Sequence, residues 1–181
     1  LNNLDVRSYE EMNKLASEIE IGSDSLCFIP FGNGSERMLD NKMIGTRILN
    51  IDLNRHHKGH LCRAALEGIA FSFVYGIEIL KSDGIDIKVL RAGDDNLFRS
   101  EIFAGTIATL IEQEIEIYHT TGAIGAARAA GLHKGDFAGY SKNIMDNDHV
   151  KTIKPQKEKS AYLAAYEKWK NELNLVLAKK Q

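Results

Sequence analysis

The stretch RAGDDNLFRSEIFAG, residues 91–105, decides how this chain is read. It follows a short apolar run, IDIKVL, and leads into residues with helical spacing. Between the two lies a turn with one glycine, two adjacent carboxylates and an asparagine. In open α/β folds the space just past the carboxyl end of a strand is where ligands sit. A glycine lets a ligand approach the backbone, and a helix N-terminus offers unpaired N–H groups with partial positive charge. Asp94 and Asp95 oppose direct phosphate binding by charge repulsion, but carboxylates are strong acceptors and suit ribose or adenine. The competing reading is that Asp94, Asp95 or Asn96 simply caps the following helix, as these residue types prefer to do.

Working outward, residues 85–131 alternate strand, helix, strand, helix, which argues an α/β fold. The strand runs to Ala92, a helix covers 97–112, EIEIY (114–118) is a further strand, and TTGAIGAARAAG (120–131) is a helix. The small side chains of that last helix predict close packing by another backbone. Upstream, SYEEMNKLASEI (8–19) has helical spacing, with Ser8 and Glu11 placed for a capping box. LCFIPF (26–31) and RILNIDL (47–53) read as strands. A long helix over 57–81 is apolar nearly all round and therefore central to packing. From 142 to 159 the chain reads as a polar connector with a weak strand candidate at VKTI. It leads to an amphipathic helix, 160–177, with Tyr162, Ala165, Tyr166, Trp169, Leu173 and Val176 on one face.

The totals narrow the function classes. A chain of 181 residues suits one sizeable domain. With 44% hydrophobic and 27% charged residues it can bury a core. The net charge of −2, with mixed signs, gives no footprint for nucleic acid. Cys27 and Cys62 are isolated, which suits a reducing compartment and a cytoplasmic location. The stretch 61–80 carries Arg63, Glu67 and Glu78, so it reads as a buried helix and not a membrane span. The chain opens on Leu instead of Met, which points to sequence upstream.

Other candidates are weaker. GNGSER (32–37) places Glu36 beside Arg37 after a glycine-rich loop; a substrate contact and a structural ion pair both fit. HHKGH (56–60) supplies three histidines without the further carboxylates or cysteines that complete a metal site. Arg63 and Glu67 stand at i, i+4 spacing and read as a satisfied buried pair. The glycines 122, 125 and 131 match neither a phosphate-binding loop nor a dinucleotide fingerprint; Thr121 and Gly122 are placed to share the crevice with Asp94. No nucleophile with its base can be assembled.

In order and spacing, GSDSLCFIPFGNGSERM, HLCRAALEGIAFSF, IKVLRAGDDNLFRSEIFAG and TTGAIGAARAAG resemble the C-terminal domain of FGGY-family sugar kinases, most closely the xylulokinases. The resemblance covers roughly 8–140. Ser35, Glu36 and Arg37 match a Gly/Ser-Glu-Arg loop, a candidate interdomain or cleft loop, and Arg63, Ala64, Glu67 and Gly68 match a hallmark helix. The stretch at Arg91 matches the loop bordering adenosine, which assigns Gly93, Asp94, Asp95, Asn96, Thr121 and Gly122 to a nucleotide site. Asp94 and Asp95 depart from the family's glycine run.

The resemblance implies part of a ribonuclease H-like, actin-like ATPase domain that serves ATP with its Mg2+, with the catalytic aspartate and the sugar site in an N-terminal domain outside this chain. The expected reaction is phosphoryl transfer from ATP to D-xylulose, and the chain alone is expected to be inactive. A homodimer is left open. The alternative is a non-catalytic module of the same fold that binds a nucleotide or a partner protein.

Overall fold

The computed structural model describes residues 8–32, 37–132, 135 and 137–179, apart from the side chains of 143 and 145. Helix α1 (Tyr9–Ser17) starts where Ser8 accepts a hydrogen bond from the Glu11 N–H. Strands β1 (Cys27–Ile29) and β2 (Arg47–Leu49) form an antiparallel pair, with Phe28 opposite Ile48. Helix α2 (Lys58–Ser82) then runs for 25 residues.

β3 (Leu90–Gly93) pairs in parallel with β4 (Ile115–Tyr118), and β4 pairs antiparallel with β5 (His149–Ile153), giving the order β3-β4-β5. Helix α3 (Glu101–Ile111) makes the crossover between the parallel strands, as a parallel connection requires. After β4 come α4 (Gly122–Ala130), α5 (Phe137–Asn147) and, beyond β5, α6 (Lys159–Ala178).

The core forms around α2, whose buried residues include Cys62, Leu66, Ala70, Phe71 and Val74. A helix apolar on most sides must be covered on most sides, and α1, β1, α3 and α6 all pack on it. At Gly68 the β1 backbone comes so close that an added Cβ would lie 2.2 Å from the Phe28 carbonyl oxygen. The same oxygen accepts the Trp169 indole N–H from α6 at 2.9 Å. One carbonyl thus fixes helix, strand and helix together. The six stripe residues of α6 are all buried.

Several elements differ from their sequence expectation. The strand before the turn is shorter than expected and ends on Gly93, so the glycine belongs to the strand and not to the turn. The expected helix over 97–112 is split into a 3-10 turn, Asn96–Arg99, and α3, with Ser100 capping α3 through the Phe103 N–H. The stretch expected to be a polar connector holds the end of α5 and all of β5.

Among the described residues, α4 buries none of its side chains and an added Cβ at Gly122 or Gly125 meets nothing within 4 Å, so the close packing expected of its small side chains is not made by them. Cys27 and Cys62 are free and buried. Among the described residues no helix is long and apolar enough to cross a membrane.

Candidate nucleotide crevice

The parallel strands β3 and β4 end side by side, Gly93 opposite Tyr118. The Asp94 N–H donates to the Tyr118 carbonyl at 2.7 Å, carrying the ladder one residue past β3. Beyond that point the chains diverge, one into the 3-10 turn and the other through Thr120 and Thr121 into α4. Between them opens a crevice of about 470 Å³, lined by Gly93, Asp95, Asn96, Thr120, Thr121 and Gly122 among others. The sequence-predicted residues therefore come together, with one exception. Asp94 does not line the crevice; its N–H is held by Tyr118 and its carbonyl accepts from Arg99 Nε at 3.2 Å.

Each polar group has a local structural duty as well. Asp95 caps the 3-10 turn, its Oδ1 accepting from the Asn96 N–H at 2.8 Å, so for this residue the capping alternative holds. Asn96 takes a left-handed φ of 49°, which asparagine tolerates better than most residues. Thr121 is the N-cap of α4, its hydroxyl accepting from the Ile124 N–H at 3.3 Å. Gly93 has no positive φ. It is required by proximity, because an added Cβ would stand 2.4 Å from the Thr120 carbonyl oxygen. The close approach expected there is therefore made first of all to the neighbouring chain.

The opposite wall is aromatic. Phe73 of α2, Phe98 of the 3-10 turn and Phe103 of α3 make three edge-to-face contacts, with centroid distances of 6.4, 5.6 and 5.2 Å. These residues lacked any signal in short motifs; only the folding of α2 against α3 assembles them. Across the β3–β4 pair, Arg91 Nε and the Tyr118 hydroxyl both donate to Glu116 Oε2, at 2.8 and 2.7 Å. The Arg91 guanidinium holds the Glu116 carboxyl below its ordinary range, while burial, with Glu116 alongside, pushes the Tyr118 phenol up.

The crevice thus has an aromatic wall, an opening at Gly122 and Gly125, and hydroxyl, amide and carboxylate groups among its lining residues. Among the described residues no group of three or more His, Cys, Asp or Glu side chains could hold a metal ion. Of the Ser35-Glu36-Arg37 loop, only Arg37 lies among the described residues. It is exposed and borders a separate apolar groove of about 790 Å³ along α2, with Met38, Gly76 and Leu80. Arg63 and Glu67 meet inside the core, away from the crevice.

The chain is 27% identical over 179 residues to a xylulose kinase of Haemophilus influenzae, an alignment covering 96% of this chain and 35% of that protein. It is 28% identical over 115 residues to a gluconokinase of Bacillus subtilis, covering 63% of this chain and 22% of that protein. The chain is thus similar in sequence to carbohydrate kinases. A crystal structure of Plasmodium falciparum glycerol kinase with ADP superposes with a TM-score of 0.76 at 21% identity, covering 97% of this chain and 35% of that one. The chain accordingly shares the mixed α/β fold of part of that structure. No protein-family model matches the chain. The chain spans about a third of the length of the xylulose kinase it matches.

Proposed function

We propose that this chain is the C-terminal, nucleotide-binding part of an ATP-dependent carbohydrate kinase, and that the crevice past β3 and β4 holds the nucleoside end of ATP. The observation that carries this reading is the convergence of Gly93, Asp95, Asn96, Thr121 and Gly122 on one crevice walled by Phe73, Phe98 and Phe103. The ADP bound by a glycerol kinase of the same fold supports it. The base rests against the aromatic wall, and the ribose hydroxyls meet Asn96, Thr121 and the free edge of Asp95. Asp94 and Asp95 repel phosphate oxygens, so the phosphates leave the crevice on the side away from this turn.

Bound ATP supplies a transferable phosphoryl group; this chain's residues orient its nucleoside and exclude water from one side of it. Such transfers depend chiefly on positioning and charge stabilisation. Magnesium travels with the nucleotide's phosphates. The base that deprotonates the sugar hydroxyl, and the sugar contacts, belong to an N-terminal domain of the same protein. D-Xylulose is the substrate we favour, since a xylulose kinase is among the relatives matched over most of the chain. The relatives named here are enzymes, which supports a kinase over a non-catalytic module. The free, buried thiols suit a cytoplasmic protein.

The test is a coupled ADP-release assay on the full-length gene product with D-xylulose, gluconate and glycerol. Turnover is expected with D-xylulose foremost, and residues 1–181 alone should stay at background. A full-length product that turns over none of the three overturns the reading.

A further inference from the structure

His56, His57 and His60 gather where α2 begins, with ring centroids 5.2 Å apart for His56–His60 and 4.4 Å for His57–His60. Each uses Nδ1 to accept a backbone N–H. Asp52 donates to His56 at 3.0 Å, Gly59 to His57 at 3.2 Å, and His57 to His60 at 3.3 Å. The last two form a reciprocal capping box, with histidine in both places where Ser/Thr and Glu/Gln usually serve. A nitrogen that accepts carries no proton, so all three rings are neutral in this arrangement. His56 Nε2 lies 3.4 Å from the Asp24 carbonyl oxygen, consistent with its proton being on Nε2. Replacing an accepting Nδ1 by Nδ1–H removes the bond and sets two donors against each other.

We infer that the N-terminus of α2 is an acid-sensitive joint, held by three neutral histidines and released when they protonate. Among the described residues, the charged groups around it are few. Asp24, on the 3-10 turn before β1, is ion-paired with Arg55 and stands 3.6 Å from His56 Nε2. Lys58 lies beside the cluster on α2, and Glu11 of α1 acts on the neighbouring Cys62. At His60, burial and the other two histidines outweigh the attraction of Asp24 and hold its pKa below the ordinary value. A group with a lowered folded pKa contributes stability that is present above its unfolded value, about 6.5 for histidine, and is lost as pH falls through the folded value.

The consequence reaches the α1–α2 seam. Gly59 in the first turn packs so tightly on α1 that an added Cβ would be 2.8 Å from the Leu15 carbonyl oxygen, and Arg63 Nη1 donates to Ile19 O at 3.3 Å. Loosening the cap therefore loosens this contact before the rest of the core.

The experiment is amide hydrogen exchange on the 181-residue chain at pH 7.5 and 5.5, corrected for intrinsic rates. Protection at the amides of His57 and Gly59 is expected to be lower at pH 5.5 than at pH 7.5, while amides in the middle of α6 hold theirs. His57→Ser with His60→Gln restores an ordinary capping box, and the fall at residues 57 and 59 should disappear. A flat wild-type profile, or a double variant that retains the fall, overturns the proposal. Should the variant not fold, nitrogen chemical shifts of the wild-type rings at pH 8 decide it: Nε2–H tautomers at all three sustain the proposal, and an Nδ1–H tautomer at His57 or His60 ends it.

Discussion

Arg63 Nε donates to Glu67 Oε1 at 2.6 Å within α2, both side chains buried. The same carboxylate accepts the Gly22 N–H at 3.0 Å and the Ser23 hydroxyl at 3.3 Å. Burial pushes the Glu67 carboxyl up, and Arg63 pushes it back. The pair thus ties α2 to the loop before β1.

Glu67→Ala leaves a buried guanidinium without its partner and is expected to cost about 3–5 kcal/mol. Replacing both, as in Arg63→Met with Glu67→Leu, should cost less than the single change, because no charge is left stranded. Urea unfolding followed by far-UV circular dichroism measures both. A single variant as stable as the parent contradicts the buried pairing.

Gly93→Ala puts a methyl against the Thr120 carbonyl oxygen, a backbone atom that cannot rotate away. A loss of about 1–3 kcal/mol is expected, the usual cost of overpacking. Gly122→Ala meets open space and should stay within about 0.5 kcal/mol of the parent. Equal stability of the two variants in thermal melts would refute the close approach of β3 to the end of β4.

Much of the fold was legible because its signals are periodic. The stripe on α6 and the apolar span of α2 follow from helical spacing alone, and both are buried as that spacing requires. The crevice was legible at Gly93, Asp95, Asn96, Thr121 and Gly122 because turn residues flank short apolar strands. Its aromatic wall was not, since Phe73 is separated from Phe98 by a strand and a loop, and only tertiary packing joins them. α4 misled for a related reason. Small residues favour a close neighbour only if the fold supplies one, and here they leave the crevice open. β5 gave only a faint signal because its pattern is polar and half exposed, and it is held by pairing with β4 more than by apolar burial.

Trp169 is the only tryptophan, buried, stacked on Tyr166 at 6.1 Å and hydrogen-bonded to Phe28 O. Its emission should be blue-shifted in the folded chain and move red on unfolding, in one transition with the circular dichroism. Trp169→Phe keeps most of the packing but strands that carbonyl, at an expected cost of about 1–3 kcal/mol. An unchanged unfolding midpoint would remove Trp169 from the junction of α2, β1 and α6.

Cys27 is held in the thiol form, since burial, aided by Glu172, pushes its pKa up to about 12. The thiolate is the reactive species. At pH 8 a disulfide-exchange reagent should therefore find neither Cys27 nor Cys62 at an appreciable rate in the folded chain, and both once urea unfolds it. Rapid labelling of Cys27 in the folded chain would place β1 at the surface.

The central claim is that the crevice past β3 and β4 receives a nucleotide. Titrating ADP into the isotopically labelled chain and following backbone amide shifts tests it directly. Saturable shifts are expected at Gly93, Asp95, Asn96, Thr121, Gly122 and Gly125, together with ring signals of Phe73 and Phe98. No saturable shifts at millimolar ADP, or shifts confined to the groove of Met38, Gly76 and Leu80, would contradict the account.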